Sequence, residues 1–283
     1  MGVSEKKKVL LHNIRKQGSM LVAFSGGVDS TLLGALAREA LGGKSHCVLL
    51  DSPVVPRAAI EQAQEIARDL GLTLDIIPVP HLENEQFCKN PDNRCYYCKK
   101  ISAVYLRKRA AELGITTIAD GINVSDTGEH RPGLTASTEE GIYHPFIEAG
   151  CTKQDIRDIA RECGLPVWQK PSAACLSSRI PYGDSINAEK LGMIEEAEAY
   201  LAGLGISQLR VRLHGTIARI EVHNDEREKI LEHQAAVIRE FKRIGFSYVT
   251  LDLEGYRSGS MDEVLNHTVK QNGTADVPGI RRN

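Results

Sequence analysis

Two groups of residues in this 283-residue chain have types and spacings that suit covalent chemistry. The first is a set of thiols. "NRCYYCKK" places Cys95 and Cys98 at a separation from which two thiolates reach one metal from a turn. No second Cys-x-x-Cys and no His-x-x-x-His follows, so a structural zinc lacks half of its ligands. Cys175, in the Pro-bracketed stretch "PSAACLSSRIPYG", is the third candidate, and three cysteines leave one iron of a four-iron cluster open to an exogenous ligand. On spacing alone the alternative stays open that Cys95 and Cys98 are surface or helix-start thiols without a common partner. Cys175 has the more reactive setting, with Lys170 before it and Ser177, Ser178 and Arg179 after it. A guanidinium nearby lowers a thiol pKa and also holds an anionic substrate. Cys47 lies in an apolar run, and Cys88, Cys151 and Cys163 lack activating neighbours; these four read as packed small residues.

The second group is "FSGGVDS", Phe24 to Ser30, between an apolar run and a helical pattern. Gly26 and Gly27 let backbone N–H groups turn toward an anion, and the helix expected to start near Thr31 adds its positive end. Ser25 and Ser30 supply hydroxyl donors, whereas Asp29 repels a bare phosphate and suits Mg²⁺. A nucleoside triphosphate with its metal satisfies both charges. The only Gly-Lys-Ser in the chain, Gly43 to Ser45, has Arg38 where a Walker loop needs glycine, and no Gly-x-Gly-x-x-Gly follows a strand. Transfer of a γ-phosphate and dinucleotide binding are therefore unsupported. A grip on pyrophosphate remains, against the plainer alternative of a capped strand-to-helix turn.

These residues need a scaffold, and the pattern predicts one. Short aliphatic runs at 21–24, 46–51, 73–79 and 116–119 alternate with amphipathic stretches at 31–41, 56–70, 97–113 and 153–163, the signature of βαβ units around a buried parallel sheet. Gly42, Gly71, Gly114 and Gly164 close the helical stretches. Ligands in such sheets bind beyond the carboxyl ends of the strands, which makes Asp51 and Ser52, and Gly121, Asn123, Asp126 and Arg131, candidates for nucleotide contacts or, alternatively, turn caps. We expect a first domain at 1–168, a cysteine-bearing active-site loop at 169–187, and an α+β substrate-binding and oligomerisation domain at 188–283. The latter reads as a helix (188–204), strands in "QLRVRLHG" and "IARIEVH", a helix (225–244) and a strand (248–253). Arg210 and Arg212 share one strand face and suit a substrate phosphate together with Ser178 and Arg179, unless they form a solvated face paired with Glu221.

A net charge of -2 gives no overall attraction for nucleic acid. No segment approaches the roughly 18 apolar residues of a membrane helix, and no secretory leader is visible, so a cytoplasmic location is expected.

"SGGVDS" resembles the PP-loop of the ATP pyrophosphatases, the adenine nucleotide alpha hydrolase-like fold, whose members transfer AMP to an oxygen and release pyrophosphate. Together with "NRCYYCK", "DGINVSD", "KPSAACLSSRIPYG" and "LRVRLHG…ARIEV", it makes the whole chain resemble the LarE family of ATP-dependent sulfur transferases in nickel-pincer cofactor synthesis. The resemblance implies adenylation of a carboxylate of pyridinium-3,5-dicarboxylate mononucleotide and its conversion to a thiocarboxylate. ATP at Ser25, Gly26, Gly27, Val28, Asp29 and Ser30, Mg²⁺, and a homo-oligomer are implied with it. Two sulfur sources occur in the family: a sacrificed cysteine at the position of Cys175, or a 4Fe-4S cluster on three cysteines whose open iron carries sulfide, replenished by a sulfur donor. Cys95, Cys98 and Cys175 favour the cluster. A tRNA thiolase with similar cluster chemistry and a non-catalytic adenine-nucleotide sensor are the rival readings.

Overall fold

The computed structural model describes residues 2–127, 132–170, 175–257 and 260–261. Arg131 and residues 171–174 of the cysteine loop lie outside that set. The chain divides into two compact units, Met1–Cys175 and Leu176–Asn283, with the division inside the stretch 169–187.

In the first unit the order is α1 (Val3–Lys16), β1 (Met20–Phe24), α2 (Val28–Leu41), β2 (Ser45–Asp51), α3 (Arg57–Asp69), β3 (Leu74–Pro78), α4 (Glu85–Cys88) and α5 (Arg94–Glu112). There follow β4 (Ile118–Ala119), α6 (Pro132–Glu139), α7 (Pro145–Glu148) and α8 (Lys153–Glu162). The strands form one parallel sheet in the order β3-β2-β1-β4. Strand β1 is apolar throughout because both of its faces are covered. Met20, Val22 and Phe24 enter a core built with α1, α2, α3 and α8, while Leu21 packs with Leu106 and Ala110 of α5 on the opposite side. The chain runs outward from β1 to β3 and then returns to place β4 on the other side of β1, which puts the topological switch point between β1 and β4. The α/β class expected for this half is the one found.

Gly42, Gly71, Gly114 and Gly164 all adopt left-handed φ values, from +57° to +68°, as helix-ending glycines do. Two boundaries differ from the pattern. Helix α5 starts at Arg94, ahead of the expected 97, so Cys95 and Cys98 both sit in its first turns. The cause is local: Asn90, buried at φ +53°, accepts a hydrogen bond from Arg94 Nη1 at 2.8 Å, and Arg94 N–H donates to the Pro91 carbonyl at 2.9 Å. That pair closes the turn before the helix.

The second unit contains α9 (Ala188–Gly203), β5 (Leu209–His214), β6 (Ile217–Val222), α10 (Arg227–Glu232), α11 (Gln234–Ile244) and β7 (Tyr248–Leu251). Its mixed sheet runs β5-β6-β7, antiparallel then parallel. Asn187 caps α9 by accepting the Lys190 N–H at 2.9 Å. The single helix expected over 225–244 is interrupted at His233, whose φ of -98° and ψ of 12° leave helical geometry while its Nδ1–H donates to the Lys229 carbonyl at 2.9 Å. Among the described residues no helix is long and apolar enough to cross a membrane.

Candidate active site

The phosphate loop turns between β1 and α2, and its own serines brace it. Ser30 Oγ accepts from Ser25 N–H at 3.1 Å, lies 3.0 Å from Ser25 Oγ, and donates to the Gly27 carbonyl at 3.2 Å. Gly26 is left-handed (φ +68°), and a Cβ there would stand 2.8 Å from Ala63 Cβ, so α3 presses directly on the loop. Helix α2 begins at the extended residue Gly27 with no side-chain cap, which leaves its first N–H groups pointing outward for an anion. The loop after β4 closes the other side, where a Cβ on Gly121 would sit 2.8 Å from Asp29 Cβ and 3.1 Å from Ser30 N.

Two lysines converge here: Lys153, which no motif marks, and Lys170, which sequence reasoning placed beside Cys175 rather than at the loop. Lys153, the first residue of α8, forms an ion pair with Asp29 Oδ2. Asp29 Oδ1 is buried and makes no hydrogen bond. Lys170 Nζ donates to the Gly26 carbonyl at 3.0 Å, and burial lowers its pKa below that of an ordinary lysine. Arg157 on α8 holds the segment carrying Lys170 by donating to the carbonyls of Trp168 at 2.7 Å and Lys170 at 3.2 Å. The predicted contact residues of the fourth loop are engaged in structure: Asn123 accepts from Ser125 N–H at 2.9 Å and Asp126 accepts from Asn123 N–H at 3.0 Å, a reciprocal cap. Ser125 Oγ then takes the Lys153 backbone N–H at 3.1 Å, so this loop orients the start of α8. Asp51 is paired with Arg57 at 2.5 Å, and Ser52 is buried against His81, 2.8 Å from its Nδ1.

The thiols form the other half of the site in the same unit. Cys98 is pushed up to about 12 by burial first, then by the neighbouring thiols of Cys175 and Cys95, while Lys99 and the Ser102 hydroxyl act in the opposite sense. That mutual effect puts Cys95, Cys98 and Cys175 in one electrostatic neighbourhood although Cys175 is far along the chain. Among the described residues no three His, Cys, Asp or Glu side chains surround a single ion. Cys47 and Cys151 are buried core residues, as expected.

Asp120, at the end of β4, escaped sequence reasoning. It is 3% exposed, and its carboxylate meets His144 Nδ1 at 2.8 Å, Ser137 Oγ at 3.1 Å, Ile122 N at 3.2 Å and Lys99 Nζ at 3.3 Å. Burial raises its pKa, but the Lys99 ammonium and His144 outweigh that and hold it at about 2. Lys99 is thereby fixed between the two cysteines of α5 and the end of the sheet.

In the second unit, Arg179 is buried in a two-pronged pair with Glu198, at 2.9 and 3.1 Å, and donates to Ser178 Oγ at 2.9 Å. Arg210 lies over the Tyr256 ring at 5.2 Å, and its pKa is lowered by burial and then by the like charge of Arg179. Arg212 is committed elsewhere, to the Ser178 carbonyl at 2.7 Å, Glu221 at 2.9 Å and Ser260 Oγ at 3.0 Å. It therefore positions Ser178, and Glu221 is shared with Arg219 at 2.8 Å.

Residues 3–101 match the NAD synthase family. Across 93% of the chain and 96% of the relative, the sequence is 34% identical to the pyridinium-3,5-bisthiocarboxylic acid mononucleotide synthase of Lactiplantibacillus plantarum. The chain belongs to the family of that synthase. Another relative, an uncharacterized protein of Synechocystis, is 39% identical over 87% of the chain and 92% of its own length. A glutamine-hydrolyzing GMP synthase of Aeropyrum pernix is 26% identical over 69% of the chain but only 43% of its own length. The likeness to the synthase family thus spans both units.

Proposed function

We infer that the protein is an ATP-dependent sulfur transferase that adenylates a carboxylate of pyridinium-3,5-dicarboxylate mononucleotide, releases pyrophosphate and forms the thiocarboxylate. The observation that carries this reading is the presence, within one unit, of a lysine-flanked phosphate loop and of Cys98 with Cys95 and Cys175 in its electrostatic neighbourhood. A carboxylate is a poor electrophile, and esterification to AMP supplies the leaving group that sulfur attack requires. Uncapped N–H groups of α2, Lys153 and Lys170 stabilise the charge that develops on departing pyrophosphate. Asp29, with one buried oxygen lacking a hydrogen bond, would hold Mg²⁺ alongside the phosphates, an arrangement that needs only one or two protein carboxylates. Ser178, Arg179 and Arg210 bind the phosphate of the mononucleotide, which relieves the like-charge strain between the two guanidiniums.

Cys95, Cys98 and Cys175 would hold a 4Fe-4S cluster, and such a group would supply sulfur at the sulfide level for the activated carboxylate. Cys98, whose pKa the nearby thiols of Cys175 and Cys95 raise further after burial, fits such a group, because a cationic cluster core compensates several thiolates at once. Lys99, held by Asp120, draws the anionic substrate toward them.

The decisive experiment measures pyrophosphate release with the dicarboxylate mononucleotide in anaerobically purified protein, together with iron, acid-labile sulfide and the mass of Cys175 peptides after turnover. Release with iron present and Cys175 intact is expected. Dehydroalanine at Cys175 without iron establishes the sacrificial route, release that depends on tRNA establishes a thiolase, and no release leaves a nucleotide sensor.

A further inference from the structure

His81 follows β3, is 2% exposed, and takes no part in the adenylation described above. Its ring is held on two sides. Nδ1 lies 2.8 Å from Ser52 Oγ, whereas Nε2 lies 3.4 Å from Cys98 Sγ, 3.4 Å from the Cys98 carbonyl and 3.3 Å from Ser102 Oγ. Phe87 packs against it with ring centroids 5.6 Å apart. An imidazole in its neutral form carries one N–H.

Which nitrogen bears that hydrogen depends on the partner of the other. Ser52 Oγ receives the Val54 N–H at 3.5 Å, and the tautomer considered is the one in which its hydroxyl donates to Nδ1 at 2.8 Å. Nε2 then bears the hydrogen and faces Cys98. We propose that His81 is a positioning residue for Cys98: with its tautomer set by Ser52, it donates from Nε2 to the Cys98 sulfur and fixes the orientation and reactivity of that side chain. The assignment of Cys98 as a cluster ligand rests on the proposed function, but the hydrogen bond itself belongs to the protein without iron. Partners of this kind orient ligands and, where a cluster is bound, tune its potential. Because Ser52 follows the end of β2, the same link ties the nucleotide-facing side of the sheet to the thiols.

The test begins with full-length protein stripped of metal and fully reduced. At one fixed pH, iodoacetamide alkylation of Cys98, followed by peptide mass, is expected to slow about fivefold in His81→Leu. His81→Gln, whose amide donates from nearly the Nε2 position, restores the rate to within about twofold. Cys95 serves as the internal control. A role in packing alone predicts the opposite sign, since loss of the ring opens the pocket and Cys98 reacts faster. That result, or equal rates in all three proteins, overturns the proposal. After anaerobic reconstitution, a reduction potential that falls in His81→Leu and recovers in His81→Gln supports it further. Wild-type protein that binds no iron while the alkylation pattern holds defeats the cluster reading and leaves the His81 contact standing.

Discussion

Lys153 and Lys170 bring two ammonium groups to a loop that contains no basic residue of its own. Their positive charge is worth most where water is excluded and charge appears only as pyrophosphate leaves. Lys153→Met is expected to lower kcat/KM for pyrophosphate release about 10²-fold, with Lys153→Arg retaining more activity; steady-state kinetics on variants with wild-type circular dichroism check this. The glycines and Asp29 of the loop were legible in the sequence because they are contiguous. These lysines were not. They reach the loop through α8 and through the Arg157 clamp, neither of which leaves a trace in spacing. The thiols were legible as residues, but their proximity was not, since a chain distance from Cys98 to Cys175 says nothing of space. Arg212 reads from alternation as a phosphate ligand, yet burial beside Glu221 gives its guanidinium other partners.

At the scale of elements, Asp120 joins β4 to α5 through Lys99, to α6 through Ser137 and to the start of α7 through His144. Its folded pKa of about 2 lies below its ordinary value of 3.8. The stabilisation it confers is therefore complete above about pH 4 and is lost as pH falls toward 2. Asp120→Asn is expected to cost about 2 kcal/mol at pH 7 and to flatten the decline in urea midpoint between about pH 4 and pH 2. The parallel strands followed from the alternation of apolar runs with helices, whereas their order, β3-β2-β1-β4, did not. The early start of α5 did not, because it depends on a buried Asn90–Arg94 contact that periodicity does not register.

For the whole molecule, occupancy of the loop is the lever on stability. A ligand that binds only the folded chain at 100 times its dissociation constant adds about 2.7 kcal/mol. Mg²⁺ and a non-hydrolysable ATP analogue at that level are expected to raise Tm by several degrees in wild type and not in Gly26→Ala; differential scanning calorimetry reads both. The two-part composition of the chain was visible in the loss of periodicity after residue 164, and the chain's two compact units meet within the stretch where Pro, Ser and Gly accumulate. The mixed sheet of the second unit shows one limit of pattern reading: alternation identifies β5 and β6, but the parallel pairing of β7 depends on a chain return through α10 and α11.

The contact between Gly26 and Ala63 reaches beyond the loop itself. Six consecutive letters name the motif, but half of its outline is moulded by a small residue on a separate helix. A graft of "SGGVDS" onto another strand–helix turn would carry the donors without their mould, and recognition of this activity in distant sequences gains by demanding a small side chain at both places.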